Sequence, residues 1–99
     1  MHATLDPSDL QDVTARLRGK LGMLLGKLRA SDALELAGFT RPSFQRKRLV
    51  VQAMTDLGWE RVRTRFQGVL RHGYARGSQL EREGVIEVVR GDAVLRKEP

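Results

Sequence analysis

The apolar residues of this chain change their spacing at Gly58, and that change restricts the fold more than any other feature. Before it, Phe44, Val50, Val51, Ala53, Met54 and Leu57 fall at helical spacing, which gives one apolar face to a helix of residues 42–57. After it, residues 59–66 alternate: Arg61, Arg63 and Arg65 take one side, Val62, Thr64 and Phe66 the other. That is the pattern of a half-buried strand. With 99 residues the chain has room for one domain and one modest core. A helix running into a strand therefore points to a single α+β domain over residues 1–99, with 1–5 and 97–99 as frayed ends.

The remaining elements follow from caps and spacing. Asp6-Pro7-Ser8-Asp9 reads as a helix start, with Asp6 as N-cap and Pro7 where its missing N–H costs nothing. The stripe Leu10, Val13, Leu17, Leu21, Leu24, Leu25 and Leu28 extends a first amphipathic helix. Gly19, Gly22 and Gly26 each cost it roughly 1 kcal/mol relative to Ala, so either another helix approaches closely there or the helix breaks near Gly19. Ser31 and Asp32 offer a cap for a short helix over 33–37, with Gly38 as its C′ residue and Phe39 beneath the turn. Thr40-Arg41-Pro42-Ser43 starts the third helix, with Pro42 in its first turn, and Gly58 ends it. Residues 67–73 read as a turn or extended loop, and 74–76 as a return strand. Residues 78–83 suggest one helical turn. Residues 85–89 and 93–96, around Arg90-Gly91-Asp92, have the pattern of a second small hairpin at the C-terminus.

Charge concentrates where the period changes. The net charge is +6, and residues 41–76 hold Arg41, Arg46, Lys47, Arg48, Arg61, Arg63, Arg65, Arg71 and Arg76 against only Asp56 and Glu60. The flanks are close to neutral, so the excess belongs to one segment, and a polyanion is the expected partner. On a helical wheel Arg41, Gln45, Arg48, Gln52 and Thr55 form a polar stripe, while Lys47 falls on the apolar side. Such a stripe can be no more than a solvated face, and alternating arginines can simply guard a sheet edge. Their coincidence in one segment favours nucleic acid. Trp59, Phe44 and Phe66 read as core, whereas Tyr74 can face either way.

Other chemistry finds little support. There is no cysteine, which removes disulfides, thiolate metal sites and thiol catalysis. His2 and His72 are the only histidines, and neither is placed beside a nucleophile. Gly26-Lys27 is followed by Leu rather than the Ser or Thr of a phosphate-binding loop. Asp6, Asp9 and Asp12 are explained by the helix dipole without a metal. Arg90-Gly91-Asp92 reads as a turn. The expectation is no enzyme, no cofactor, no metal and no small-molecule substrate. The acidic start and the absence of an apolar run near about 18 residues favour a cytoplasmic protein that avoids membranes.

The segment from Arg48 to Trp59, continued by Glu60-Arg61 and closing with Gly73-Tyr74-Ala75-Arg76-Gly77, resembles the C-terminal winged-helix part of virulence-associated-E-type primase–helicases, replication proteins of phages and mobile elements. The likeness covers roughly residues 31–77. It implies nucleic-acid contacts at Gln45, Arg48, Gln52, Arg61, Arg63, Arg65 and Arg76, and a binding module without the ATPase and primase parts. The expectation is thus a winged helix-turn-helix with three helices and a basic hairpin wing. It would bind duplex DNA through Arg41, Gln45, Arg46, Arg48, Gln52, Arg61, Arg63, Arg65, Arg71, His72, Tyr74 and Arg76, as an accessory or regulatory protein of a phage, plasmid or genomic island. The rival readings are an adaptor that dimerises or docks on a larger protein through the Leu-rich first helix, and an RNA-binding module.

Overall fold

Helix α1 (Pro7–Leu21) turns Val13, Leu17 and Leu21, at four-residue intervals, into the core. It stops earlier than the leucine stripe suggests. Gly22 takes φ +53° and its N–H donates to the Arg18 carbonyl at 2.8 Å, and the chain leaves the helix there. A Cβ on Gly19 would meet nothing within 4 Å, so no close helix crossing is present there; Gly19 stays inside α1 and the break comes at Gly22. Leu28 is buried instead in a short strand, β1 (Gly26–Arg29). Gly26 is required by that strand: a Cβ on it would lie 2.7 Å from the Gly84 carbonyl oxygen on the neighbouring strand. The coordinates are a computed structural model that describes residues 7–41 and 43–97. The Asp6 cap and Pro42 therefore lie outside the described residues.

Helix α2 (Ala30–Leu36) leaves β1 without a gap. Arg29 is its N-cap with no side-chain bond, so the helix begins before Ser31 and Asp32 rather than after them. Its end is as the glycine indicates: Gly38 takes φ +89°, and the Phe39 N–H donates to the Leu34 carbonyl at 3.0 Å. Helix α3 (Phe44–Asp56) is capped by Ser43, whose hydroxyl accepts from the Arg46 N–H at 3.2 Å. Gly58, at φ +88°, closes it in the same manner, with the Trp59 N–H on the Met54 carbonyl at 2.9 Å. The buried residues of α3 are Leu49, Val50, Ala53 and Met54. Phe44, assigned to the core from sequence, is 74% exposed. It lies across the wheel from the buried arc, which runs from Leu49 through Ala53 and Val50 to Met54 and is centred between Ala53 and Val50.

Strand β2 (Glu60–Phe66) turns through Gln67 and Gly68, both at positive φ, into β3 (Val69–Arg76). Most of the segment read as a loop, 67–73, is therefore strand, and the hairpin extends to a two-residue turn of the type that matches strand twist. A 3₁₀ turn (Glu81–Glu83) leads to β4 (Gly84–Val89), and Arg90-Gly91 makes the same kind of turn into β5 (Asp92–Lys97). The five strands lie in the order β2-β3-β1-β4-β5, with β1 antiparallel to β3 and parallel to β4. Among the described residues the protein is thus a mixed α+β fold of three α-helices and a five-stranded sheet. Leu28, Tyr74 and Ile86 are adjacent across the register and carry one sheet face into the helical core. Phe66, Ala75 and Val85 are buried on the other face, where Lys27 and Arg29 each lie 5.4 Å from the Phe66 ring centre. Among the described residues no helix is long and apolar enough to cross a membrane.

Candidate nucleic-acid interface

The hairpin register decides where the arginines face. Arg61 pairs with Tyr74, Arg63 with His72 and Arg65 with Leu70, and cross-strand partners share a face. That face is the one carrying Tyr74, so it is the side on which the helices pack. Tyr74 is 2% exposed at the base of the hairpin, with the Arg61 guanidinium 6.0 Å above its ring. Burial pushes its phenol above the ordinary tyrosine range, against the opposing pull of Arg61. Further along the hairpin from Tyr74, Arg63, Arg65 and His72 are exposed.

The outward margin of α3 meets this surface. Phe44, Lys47, Arg48, Val51 and Gln52 line an open cleft of about 360 Å³ whose other wall is Arg61. The Arg48 guanidinium lies 5.8 Å from the Phe44 ring centre. Gln52 Nε2 donates to Asp56 Oδ1 at 2.9 Å, which holds its amide along the helix. Arg65 Nη1 donates to the Gly68 carbonyl at 3.1 Å, and Lys27 Nζ to the Arg65 carbonyl at 2.6 Å, so the hairpin end is braced from both sides. Among the described residues no carboxylate is ion-paired with Lys47, Arg48, Arg61, Arg63 or Arg65; Asp32, Glu60, Glu87 and Asp92 pair with other bases. The surface keeps its positive charge.

Of the residues expected to bind, Arg48, Gln52, Arg61, Arg63, Arg65 and His72 come together here. The others do not. Arg41 is exposed in the α2–α3 connection, where its carbonyl accepts from Arg46 Nη1 at 2.7 Å. Arg46 also lies 5.3 Å from the Phe39 ring centre, and with Gln45 it lines a separate cleft towards α1, walled by Asp9, Asp12 and Arg16. Arg71 pairs with Thr64, so it is on the opposite sheet face. Tyr74 belongs to the core. Arg76 is turned inward: it donates to the carbonyls of Gly22, Leu24 and Leu57 and stacks 4.6 Å from the Trp59 ring centre. Two members were missed. Phe44 is detectable once the apolar arc is centred between Ala53 and Val50. Lys47 lies beside Met54 on the wheel but two turns earlier, where the core has ended, and periodicity alone carries no sign of that.

The described residues contain no group of three or more histidines and carboxylates placed to hold a metal ion. No protein-family model matches the chain, and no curated protein or solved structure does either.

Proposed function

We propose that this chain is a winged helix-turn-helix module that binds duplex DNA, with α2 and α3 as the helix pair and the β2–β3 hairpin as the wing. The observation that carries the reading is the shared cleft: the outward side of α3 and the arginine side of β2 line one surface whose bases, among the described residues, are ion-paired with no acid. An α-helix about 10–12 Å across suits a major groove about 12 Å wide. With α3 in the groove, Arg48 and Gln52 are the residues to meet base edges, and Phe44 offers an apolar contact of the kind a thymine methyl takes. Arg61, Arg63, Arg65 and His72 run along the wing at the spacing of a strand, suited to a phosphate backbone or a minor groove. The likeness to phage and mobile-element replication proteins suggests an accessory or regulatory role in such an element.

Val13, Leu17 and Leu21 of the α1 stripe are buried in the chain's own core, which supports this reading over an adaptor that docks through that helix. The test is fluorescence anisotropy with a generic duplex across a range of salt. Five bases, Lys47, Arg48, Arg61, Arg63 and Arg65, should give a log–log slope near about −4 to −5. Arg63→Ala should weaken all duplexes alike and lower the slope by about 1, whereas Arg48→Ala should reduce any sequence preference by roughly 1–3 kcal/mol. A flat salt dependence, or preferential competition by RNA, overturns the proposal.

A further inference from the structure

The sheet has two outer strands, and their charges differ in kind. On β2, antiparallel pairing with a second copy about Arg63 sets Arg61 against Arg65 and Arg63 against itself, so that edge repels its own kind. On β5, pairing about Val94 sets Asp92 against Arg96 of the second copy at both ends, with the two Val94 side chains meeting in the middle. We propose that β5 joins β5 of a second copy of this chain, making one continuous antiparallel sheet across a two-fold axis at Val94.

The backbone is arranged for this. The two-residue turn at Arg90-Gly91 makes Val89 and Asp92 a hydrogen-bonded pair, followed by Glu87 with Val94 and Val85 with Arg96. The N–H and C=O groups of Ala93 and Leu95 therefore point away from β4, and Ala93 of one copy meets Leu95 of the other in a reciprocal pair, twice. Asp92, Val94 and Arg96 share one face and stand at the non-hydrogen-bonded positions, where opposed side chains come closest. Lys20 binds Asp92 at 3.0 Å and Glu87 binds Arg96 at 3.4 Å within each chain. Joining the copies thus orders the charges as Lys20, Asp92, then Arg96 and Glu87 of the second copy, alternating in sign throughout. Val94 and Leu95 are 38% and 45% exposed on this edge, and Leu95 also walls an apolar cleft with Met23, Leu25 and Leu80. The axis is perpendicular to the sheet, so both helical layers lie on the same side and both basic hairpins stay free at the outer ends.

The test is sedimentation equilibrium of the whole chain over rising concentration, which should show mass climbing from 11.2 kDa towards twice that value. The amides of Ala93 and Leu95 should exchange more slowly in the concentrated sample. Arg96→Glu sets acid against acid, and Asp92→Arg sets base against base, so each variant alone should dissociate about tenfold more readily. Mixed together, the two variants place Asp92 against Arg96 and Glu against Arg, and they should associate with each other. That recovery also shows both variants to be folded. A mass that stays at 11.2 kDa at millimolar concentration, variants that self-associate as the native chain does, or a mixture that stays monomeric each overturn the proposal.

Discussion

Replacing Arg76 by alanine separates a structural arginine from a binding one. Its guanidinium donates from Nη2 to the Gly22 and Leu24 carbonyls, both at 2.8 Å, and from Nη1 to the Leu57 carbonyl at 3.2 Å. Gly22 and Leu24 follow the C-terminus of α1, and Leu57 caps α3. One side chain on β3 therefore satisfies carbonyls at the negative ends of two helices and ties both to the sheet. It also lies 4.6 Å from the Trp59 ring centre. Taking about 1 kcal/mol for each of the three acceptors, since Arg76 is only half-buried, and about 0.5–1 kcal/mol for the ring contact, the loss comes to roughly 3–4 kcal/mol. That is a large share of the stability of about 5–15 kcal/mol usual for a domain. Urea unfolding followed by circular dichroism measures it. Arg76→Lys should recover only part, because an ammonium is a compact point charge that lacks the planar fork of a guanidinium. An Arg76→Ala protein within about 0.5 kcal/mol of the native one, binding duplex as weakly as Arg63→Ala, would refute the argument.

Further outcomes follow from the same geometry. Phe44→Ala should leave thermal stability within about 0.5 kcal/mol, since the ring is exposed, yet weaken duplex binding measurably in anisotropy. Gly73→Ala should destabilise by about 2 kcal/mol or more in urea unfolding, because the new methyl would run into the Leu28 carbonyl oxygen and the Phe66 ring. Tyr74 is the only tyrosine, so ultraviolet absorbance follows its ionisation directly. Its phenol is raised by burial, so the folded state favours the neutral form. The stability linked to it is complete below the ordinary tyrosine pKa and is lost as pH rises through the raised value. Arg61→Ala should move that ionisation higher still, and Tyr74→Phe should remove this part of the alkaline loss of stability.

Local signals were sufficient wherever neighbouring residues decide the outcome. Gly38 and Gly58 end two helices in the left-handed conformation and Arg90-Gly91 turns the second hairpin, whereas α3 begins only after its N-cap Ser43 and not within residues 40–43. Alternation over residues 59–66 and the confinement of positive charge to residues 41–76 were legible for the same reason. Residues 69–73 were not: they lack clean alternation, and Gln67-Gly68 is a weaker hairpin signal than Asn-Gly or Asp-Gly.

The amino-acid order alone determined the change from helix to strand at Gly58, the glycine ends of α2 and α3 at Gly38 and Gly58, and the side of β2 that carries arginine. Tertiary structure decided the rest. Leu28 suits a helix or a strand equally, and it becomes strand because β3 and β4, distant in sequence, supply hydrogen-bond partners on both sides. Tyr74 and Arg76 turn inward, and Lys47 stays out, because of where the core ends beneath the hairpin. The surface shared by α3 and β2 depends on the register of β2 with β3 and on the packing of α3 across the sheet. The first is set by the two-residue turn at Gln67-Gly68 between neighbouring strands, and the second by the packing of α3 on α1, far away in the chain, which no local period records.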